Sequence, residues 1–387
     1  MGYWTEKQFR KLARVNKHPV IFYIKKRSIT PMEGITINGS FGEGGGQILR
    51  MSLVFSAVTG RPFRIVNIRA NRPNPGLRRQ HLGCVELAAQ MTGAENTEVK
   101  VGTPELSFVP GKPRSGTFIT DIGAGSITLL ASVFLPIAMV SEGVCRLVAK
   151  GGTDVPFAPT SSYFEHAFLP LASRLFSQLE WRIAEKGFFP KGKGEAHFLA
   201  EGKATLPHLS FLDKGDHKGT SLYIGTTNLP GHISRRLCSS FQNEFGARSL
   251  GFSEDIRFIV DNNPSPDPWR VGVSACSVSE FDRGVIARSL CGKRGIPSER
   301  IGKKLASEHL QQVEQPCVDS FLADQLLPYI ALLGGEISVR EPTKHFLTGL
   351  QVSEKFLGKD YTKKTEGEIH YYSFRPWYRS GESKRKN

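Results

Sequence analysis

Three times along the chain a glycine or small-residue turn runs into an unbroken apolar helical pattern, over residues 46–60, 125–140 and 319–333. An amphipathic helical pattern follows the first at 78–91 and the second at 161–176, so the first two units start about 80 residues apart, longer than common solenoid periods. The third apolar helix arrives about a hundred residues late, and an inserted domain over 214–313 accounts for the delay. Strand-like runs at 221–224, 256–260 and 269–273 and a helical pattern at 234–245 make that insert mixed. A short alternating strand at 35–37 precedes the first apolar helix. Each unit therefore reads as strands plus two helices. The expected fold class is α+β (α/β repeats): three repeated units of two helices on a four-stranded sheet, the third interrupted by a smaller α/β domain. The large domain is expected over 32–213 and 314–375, and the small one over 214–313. Residues 376–387 read as a basic, disordered tail.

Composition changes this picture in one respect. The content of 39% hydrophobic and 22% charged residues is ordinary for a folded soluble chain, but the net charge of +15 is not. It points to a polyanionic partner. Nucleic acid stands ahead of a membrane surface, because no basic amphipathic helix with a broad apolar face stands out. Residues 1–31 carry much of the excess and read as an appended basic arm, with Met32 as an alternative start. The first 17 residues include Glu6 and lack an apolar core, unlike a secretory signal. The longest apolar stretches, such as 133–140, are too short to span a bilayer. Six cysteines are scattered without C-x-x-C or zinc spacing and read as reduced thiols. A cytoplasmic location, nuclear in a eukaryote, is expected, with no membrane partner.

Candidate chemistry concentrates in a few stretches. Residues 39–50 hold five glycines, Glu43, Gln47 and Arg50 between a strand and an apolar helix. Glycine there permits positive φ and close approach to a ligand, and the helix start favours phosphate. The spacing matches neither a Walker A loop nor G-x-G-x-x-G. A phosphate cradle and a plain capping turn both remain open. Residues 68–81 place Arg69, Arg72, Arg78 and Arg79 around Pro73 and Pro75, a rigid loop suited to phosphate oxygens unless it is merely solvated. The turn at 151–159 reads as structural. In 188–195, Lys191 and Lys193 line an RNA path or solvate a hairpin. Asp324 and Gln325 lie beside apolar positions near a helix start, as nucleotide-recognising groups would. His345 sits between apolar neighbours, a pattern commoner for a core residue than for a nucleophile.

Taken together, these stretches resemble the RNA 3′-terminal phosphate cyclase family. The resemblance rests on residues 42–50, 68–72 with 75–81, 151–154, 188–190, 322–326 and 345–348, in family order with similar spacing over about 33–358. It implies ATP-dependent conversion of an RNA 3′-phosphate end to a 2′,3′-cyclic phosphate, with ATP and Mg2+ or Mn2+ required. In that scheme His345 takes AMP from ATP, passes it to the RNA 3′-phosphate, and the 2′-hydroxyl displaces it. By family position, Glu43 holds the metal. Gln47, Arg50, Arg69, Arg72 and Gln80 surround the phosphates and RNA end. Phe321, Leu322, Ala323, Asp324, Gln325 and Ser132 contact the nucleotide. Ser132 replaces a glutamine of some relatives, Phe321 a polar aromatic and Gly349 an asparagine, which bears on nucleotide selectivity and rate. A non-catalytic pre-ribosomal RNA-binding branch lacks the glycine loop and this histidine, both retained here. A carboxyvinyl transferase of related repeat architecture is a weaker alternative. A homodimer is left open.

Overall fold

The computed structural model describes residues 34–42, 44–96, 98–248 and 256–378. The basic arm, Glu43 and the last nine residues lie outside the described residues.

The first unit runs β1 (Ile35–Asn38), α1 (Gly46–Thr59), β2 (Phe63–Val66), α2 (Arg79–Thr92), β3 (Glu95–Asn96) and β4 (Leu106–Val109), with sheet order β1-β2-β4-β3. β1 and β2 pair in parallel, and the remaining neighbours are antiparallel. The second unit repeats the arrangement: β5 (Arg114–Ser126), α3 (Ile127–Met139), β6 (Glu142–Gly152), a helical run at 161–175, β7 (Phe176–Glu185) and β8 (Gly194–Gly202), in the order β5-β6-β8-β7. The third begins with β9 (Leu209–Phe211) and is interrupted. The intervening chain makes its own sheet from β10 (His217–Thr227), β11 (Ile256–Asn262), β12 (Gly272–Phe281) and β13 (Val285–Cys291), in the order β11-β10-β12-β13, with α4 (His232–Arg248) and α5 (Ser298–Val313) against it. The unit resumes with α6 (Ser320–Leu333), β14 (Gly335–Val339), α7 (Lys344–Leu357), β15 (Tyr361–Glu366) and β16 (Ile369–Phe374), giving β9-β14-β16-β15. The α+β repeat architecture expected from the spacing of the apolar helices is the one observed.

The apolar helices form where the pattern places them, because most side chains of α1, α3 and α6 enter one core. Their starts are set by local chemistry. Ser126 caps α3, Asp319 caps α6 and Thr343 caps α7, each accepting a first-turn N–H. α1 ends at Gly60, whose φ of 72° suits glycine.

The second helix of the second unit departs from expectation. It breaks into α turns, a π turn at Phe164–Phe168 and a 3-10 turn. Pro170 has no N–H for the carbonyl four residues back, and the Leu169 N–H bonds the Phe164 carbonyl, five residues back. In the fourth sheet the strand expected from residue 269 starts at Gly272. Residues 376–378 are not part of a disordered tail: the N–H groups of Trp377 and Tyr378 bond the Leu332 carbonyl at 3.1 and 2.8 Å, and both rings pack on the core.

The fourth sheet has two dissimilar faces. Leu222, Ile224, Val273 and Ala275 pack on α4 and α5 in a separate cluster. Cys276, Val278, Val285 and Ala287 join the main core. Its two chain ends are clasped at Lys214, whose N–H bonds the Pro316 carbonyl at 2.8 Å while its ammonium reaches the Gln315 and Val313 carbonyls. None of the six cysteines is paired. Among the described residues no helix is long and apolar enough to cross a membrane.

Candidate functional site

The starts of α1, α2, α3, α6 and α7 border one cavity of about 730 Å³ between the three units and the fourth sheet. Helix starts carry partial positive charge and unpaired N–H groups, so their convergence favours an anion. Side chains strengthen the effect: Arg50, Arg69, Arg72, Arg288 and Lys304 line the cavity, against Asp324 as its acidic residue among those described.

At one end, the glycine loop opens onto α1. Gly45 precedes the helix without a side-chain cap. A Cβ on Gly46 would lie 2.3 Å from His81 Nε2 and 2.9 Å from Arg50 Nη1, and one on Gly45 would meet Arg72 Nη2 at 3.3 Å. Glycine is needed at 46 so that these cationic and imidazole groups can close under the helix start. Burial lowers the pKa of Arg50 below the ordinary arginine value. His81 was not singled out by sequence reasoning, although it ends the arginine run. Its Nδ1 accepts the Arg78 N–H at 3.1 Å, which leaves Nε2 as the protonated nitrogen. Burial first, then Arg50, Arg69 and Arg78, push its pKa down to about 3. The ring is a neutral N–H donor among cations.

Arg69 is split between cavity and scaffold. At a φ of 55° it turns back on its own loop and donates to the Asn74 and Gly76 carbonyls at 2.6 and 3.0 Å. Burial, then neighbouring Arg78 and Arg72, lower its pKa. Gln80 is also half committed. Its Oε1 accepts the Ser126 N–H at 2.9 Å, fixing the residue that caps α3, so the amide N–H groups are what it offers a ligand. Next along α3, Thr128, Leu129 and Ser132 line the cavity, and the Ser132 hydroxyl donates to the Leu129 carbonyl at 2.7 Å.

On α6 the 3.6-residue period sorts the expected nucleotide contacts. Phe321, Asp324, Gln325 and Pro328 face the cavity. Leu322 and Ala323 do not: both are buried in the core, on the opposite side of the helix. Their side chains pack in the core, which leaves the backbone as what these two can offer a nucleotide. The Phe321 ring carries the Arg288 guanidinium 4.5 Å from its centroid, and Arg288 also bonds Glu308 at 2.6 Å. Arg288 and Lys304 come from the fourth sheet and its helix. No local pattern marks them, because only the folded insert brings them to the cavity.

Asp319 ties these pieces together from below. Its Oδ1 accepts the Tyr163 hydroxyl at 2.7 Å and the N–H groups of Phe321 and Leu322, and Oδ2 accepts the Ala287 N–H at 3.0 Å. One buried carboxylate thus fixes α6, the 161–175 run and the strand carrying Arg288. Burial raises its pKa to about 6 against these hydrogen bonds, which lower it.

His345 lies in the first turn of α7, half-buried at the cavity edge. Thr343 starts that turn, accepting the Phe346 N–H at 2.9 Å and donating to Asp324 Oδ1 at 2.6 Å. Gln47 grips His345 twice. Its Nε2 donates to the His345 carbonyl at 3.0 Å, and its Oε1 lies 2.5 Å from Nδ1. A backbone carbonyl can only accept, so it fixes the amide orientation, and Oε1 can then only receive a proton from Nδ1. In its neutral form the ring is therefore held as the Nδ1–H tautomer, with the lone pair on Nε2. Gly349, one turn on, is packed out: a Cβ there would meet Leu327 and Met51 at 2.7 and 3.0 Å.

A metal is not provided for by the described residues alone. Among them no three His, Cys, Asp or Glu side chains gather as a metal site, and Glu43 lies outside them.

The family described as RNA 3′-terminal phosphate cyclase matches residues 41–362. The chain is 36% identical over 327 residues to the RNA 3′-terminal phosphate cyclase of Pyrococcus furiosus, covering 84% of this chain and 94% of that one. It is 37% identical over 340 residues to the protein of that name from Pyrococcus abyssi, with 87% and 96% covered. The Methanosarcina barkeri protein of that name is 37% identical over 329 residues, with 84% and 94% covered.

Proposed function

The chain belongs to the RNA 3′-terminal phosphate cyclase family, and we propose on that footing that it converts RNA 3′-phosphate ends to 2′,3′-cyclic phosphates, consuming ATP. The observation that carries the reading is the double grip of Gln47 on His345 beside a cavity lined by five basic residues. A neutral imidazole with a fixed, unprotonated Nε2 is a competent nucleophile near neutral pH.

In the proposed sequence, Nε2 attacks the α-phosphorus of ATP, a P–N bond forms, and the bond to the β-phosphate oxygen breaks to release pyrophosphate. An oxygen of the RNA 3′-phosphate then attacks the same phosphorus, and the histidine leaves with its lone pair restored. The neighbouring 2′-hydroxyl attacks the 3′-phosphorus, loses its proton and displaces AMP, closing the ring. Arg50 and Arg72 neutralise charge on the phosphates, and His81 donates a neutral N–H there. Phe321, Gln325 and Ser132 form the wall for the nucleoside. Magnesium commonly needs only one or two protein carboxylates when a polyphosphate supplies other ligands. Glu43 is the carboxylate proposed for that role, with Mn2+ as the alternative ion.

Incubation with ATP labelled at the α-phosphate tests the reading. An acid-labile, hydroxylamine-resistant protein–AMP adduct is expected, and it should vanish in His345→Ala. No adduct, or one that survives the substitution, overturns the mechanism and favours a non-catalytic RNA-binding role.

A further inference from the structure

The hairpin between β7 and β8 is left unused by the reaction, yet it is fixed with unusual care. Arg270, buried in the loop before β12, donates to the Lys186 and Lys193 carbonyls at 3.0 and 2.7 Å and so holds both ends of the hairpin. Glu185 and Asp267, each 2.9 Å away, neutralise it. A Cβ on Gly272 would lie 2.2 Å from the Phe188 ring, and one on Gly192 would lie 2.6 Å from the Gly123 carbonyl. The hairpin is wedged between the insert and the end of β5, just before α3.

This rigid support presents aromatic and cationic groups outward. Phe189 is 62% exposed. The ammonium groups of the exposed Lys191 and Lys193 lie 4.9 and 5.0 Å from the centroid of the half-buried Trp269 ring, and the Arg270 guanidinium lies 4.7 Å from it. The hairpin is tied to a segment that lines the cavity. Phe188 forms a bridge with Asp154, three residues before Phe157, and Phe157 is fully exposed where it lines the cavity. On the other side, Gly192 packs on Gly123 and Ala124 at the end of β5, and the next residue, Gly125, packs on the cavity-lining Gln80.

We propose that Phe157, Phe189, Lys191, Lys193 and Trp269 form a platform for the single-stranded nucleotides that precede the RNA end in the cavity. The proposal rests on the cyclase reading for the identity of that end. Its chemistry is the combination single strands require: aromatic faces on which successive bases stack without regard to sequence, and mobile ammonium groups that follow the backbone. A lysine resting on an indole can swing to a phosphate while a base takes its place on the ring. A rigid hairpin adds no ordering cost when RNA arrives.

The test is direct binding, without ATP, of a 5′-fluorescein 12-nucleotide RNA and of a trinucleotide, each made with a 3′-phosphate and with a 3′-hydroxyl. Lys191→Ala/Lys193→Ala should bind the 12-mer about tenfold more weakly, and the slope of log K against log salt should shrink by about 1.4, from two lost phosphate contacts. The trinucleotide should lose less than twofold. Trp269→Phe, which keeps a ring, should bind the 12-mer within about threefold of wild type, whereas Trp269→Leu should not. Melting curves report whether each variant folds. Unchanged 12-mer binding by a folded double-lysine variant, or an equal loss for both lengths, overturns the proposal. If wild type binds both 12-mers equally tightly and the double variant binds neither, the platform stands and the assignment of the cavity to a 3′-phosphate end falls.

Discussion

Gln47 offers the sharpest test of how the site works, because phosphate contact and histidine positioning predict different losses. Gln47→Leu removes the hydrogen bond to Nδ1 and the one to the His345 carbonyl. At about 1 kcal/mol each, these amount to about 2 kcal/mol, or about a 30-fold slower transfer of AMP to the enzyme. The loss should appear in the single-turnover rate at saturating ATP, with KM for ATP little changed, since the ring loses its orientation and its fixed tautomer. Gln47→Glu should behave differently. It still accepts from Nδ1, but a carboxylate so near favours the protonated ring, and the acid limb of the pH–rate profile should move up by about one unit. Its deficit should therefore shrink as pH rises, whereas that of Gln47→Leu should persist at all pH values. Quench-flow with α-labelled ATP from pH 5.5 to 9 measures both. A Gln47→Leu protein that transfers AMP within twofold of wild type, or whose whole defect is a raised KM for ATP, refutes the positioning role.

Other substitutions probe other parts of the site. Arg72→Ala should slow transfer of AMP to RNA about 30-fold, the worth of one charge-assisted hydrogen bond, while slowing self-adenylylation less; equal loss in single-turnover assays of the two steps contradicts that. Arg69→Ala should show the same bias with an added loss of stability, because Arg69 also clasps the Asn74 and Gly76 carbonyls. Gly46→Ala places a methyl group against His81 and Arg50, and should cost about 1–3 kcal/mol in denaturant titration together with most of the activity. Asp319 is an acid whose folded pKa, about 6, exceeds its unfolded value. The native state therefore holds the extra proton between pH 4 and 6, and stability should fall as pH rises through that window, by about 3 kcal/mol at most. Asp319→Asn should flatten that slope and lower Tm at pH 7, since an amide nitrogen cannot accept from the Ala287 N–H. A slope unchanged by the substitution would show that another group titrates there.

What the sequence made legible follows from the range of the interactions concerned. The repeat could be read because α1, α3 and α6 are apolar almost all round, a signal that needs no partner to be seen. The helix starts near 125 and 319 were legible because a glycine or small-residue turn gives way there to an apolar run, although the capping roles of Ser126 and Asp319 emerge only in the structure. His345 was not legible from its own pattern. A histidine between apolar neighbours acquires a role only through Gln47, 298 positions away, so resemblance found it and local chemistry did not. His81 lay within a motif already quoted, but its neutrality depends on burial beneath α1. Leu322 and Ala323 belong to a motif expected as a block, whose side chains the helical period divides between cavity and core. Arg288 and Lys304 had no local mark at all.

The clasp at Lys214 bears on the order in which the chain can assemble. β9 and β14 are neighbours in one sheet, but the whole insert lies between them. Pairing them across an unstructured segment of that length is entropically costly. The Lys214 side chain meets carbonyls 99 and 101 positions away, so a folded insert shortens the effective loop to roughly 23 residues, a saving of about 1.5 kcal/mol. The insert's own apolar cluster lets it form first. Pulse-labelled hydrogen exchange should find amides of β10 and β12 protected before those of β9 and β14. An intrusion that delays the third repeat in the sequence would then act as the template that closes it.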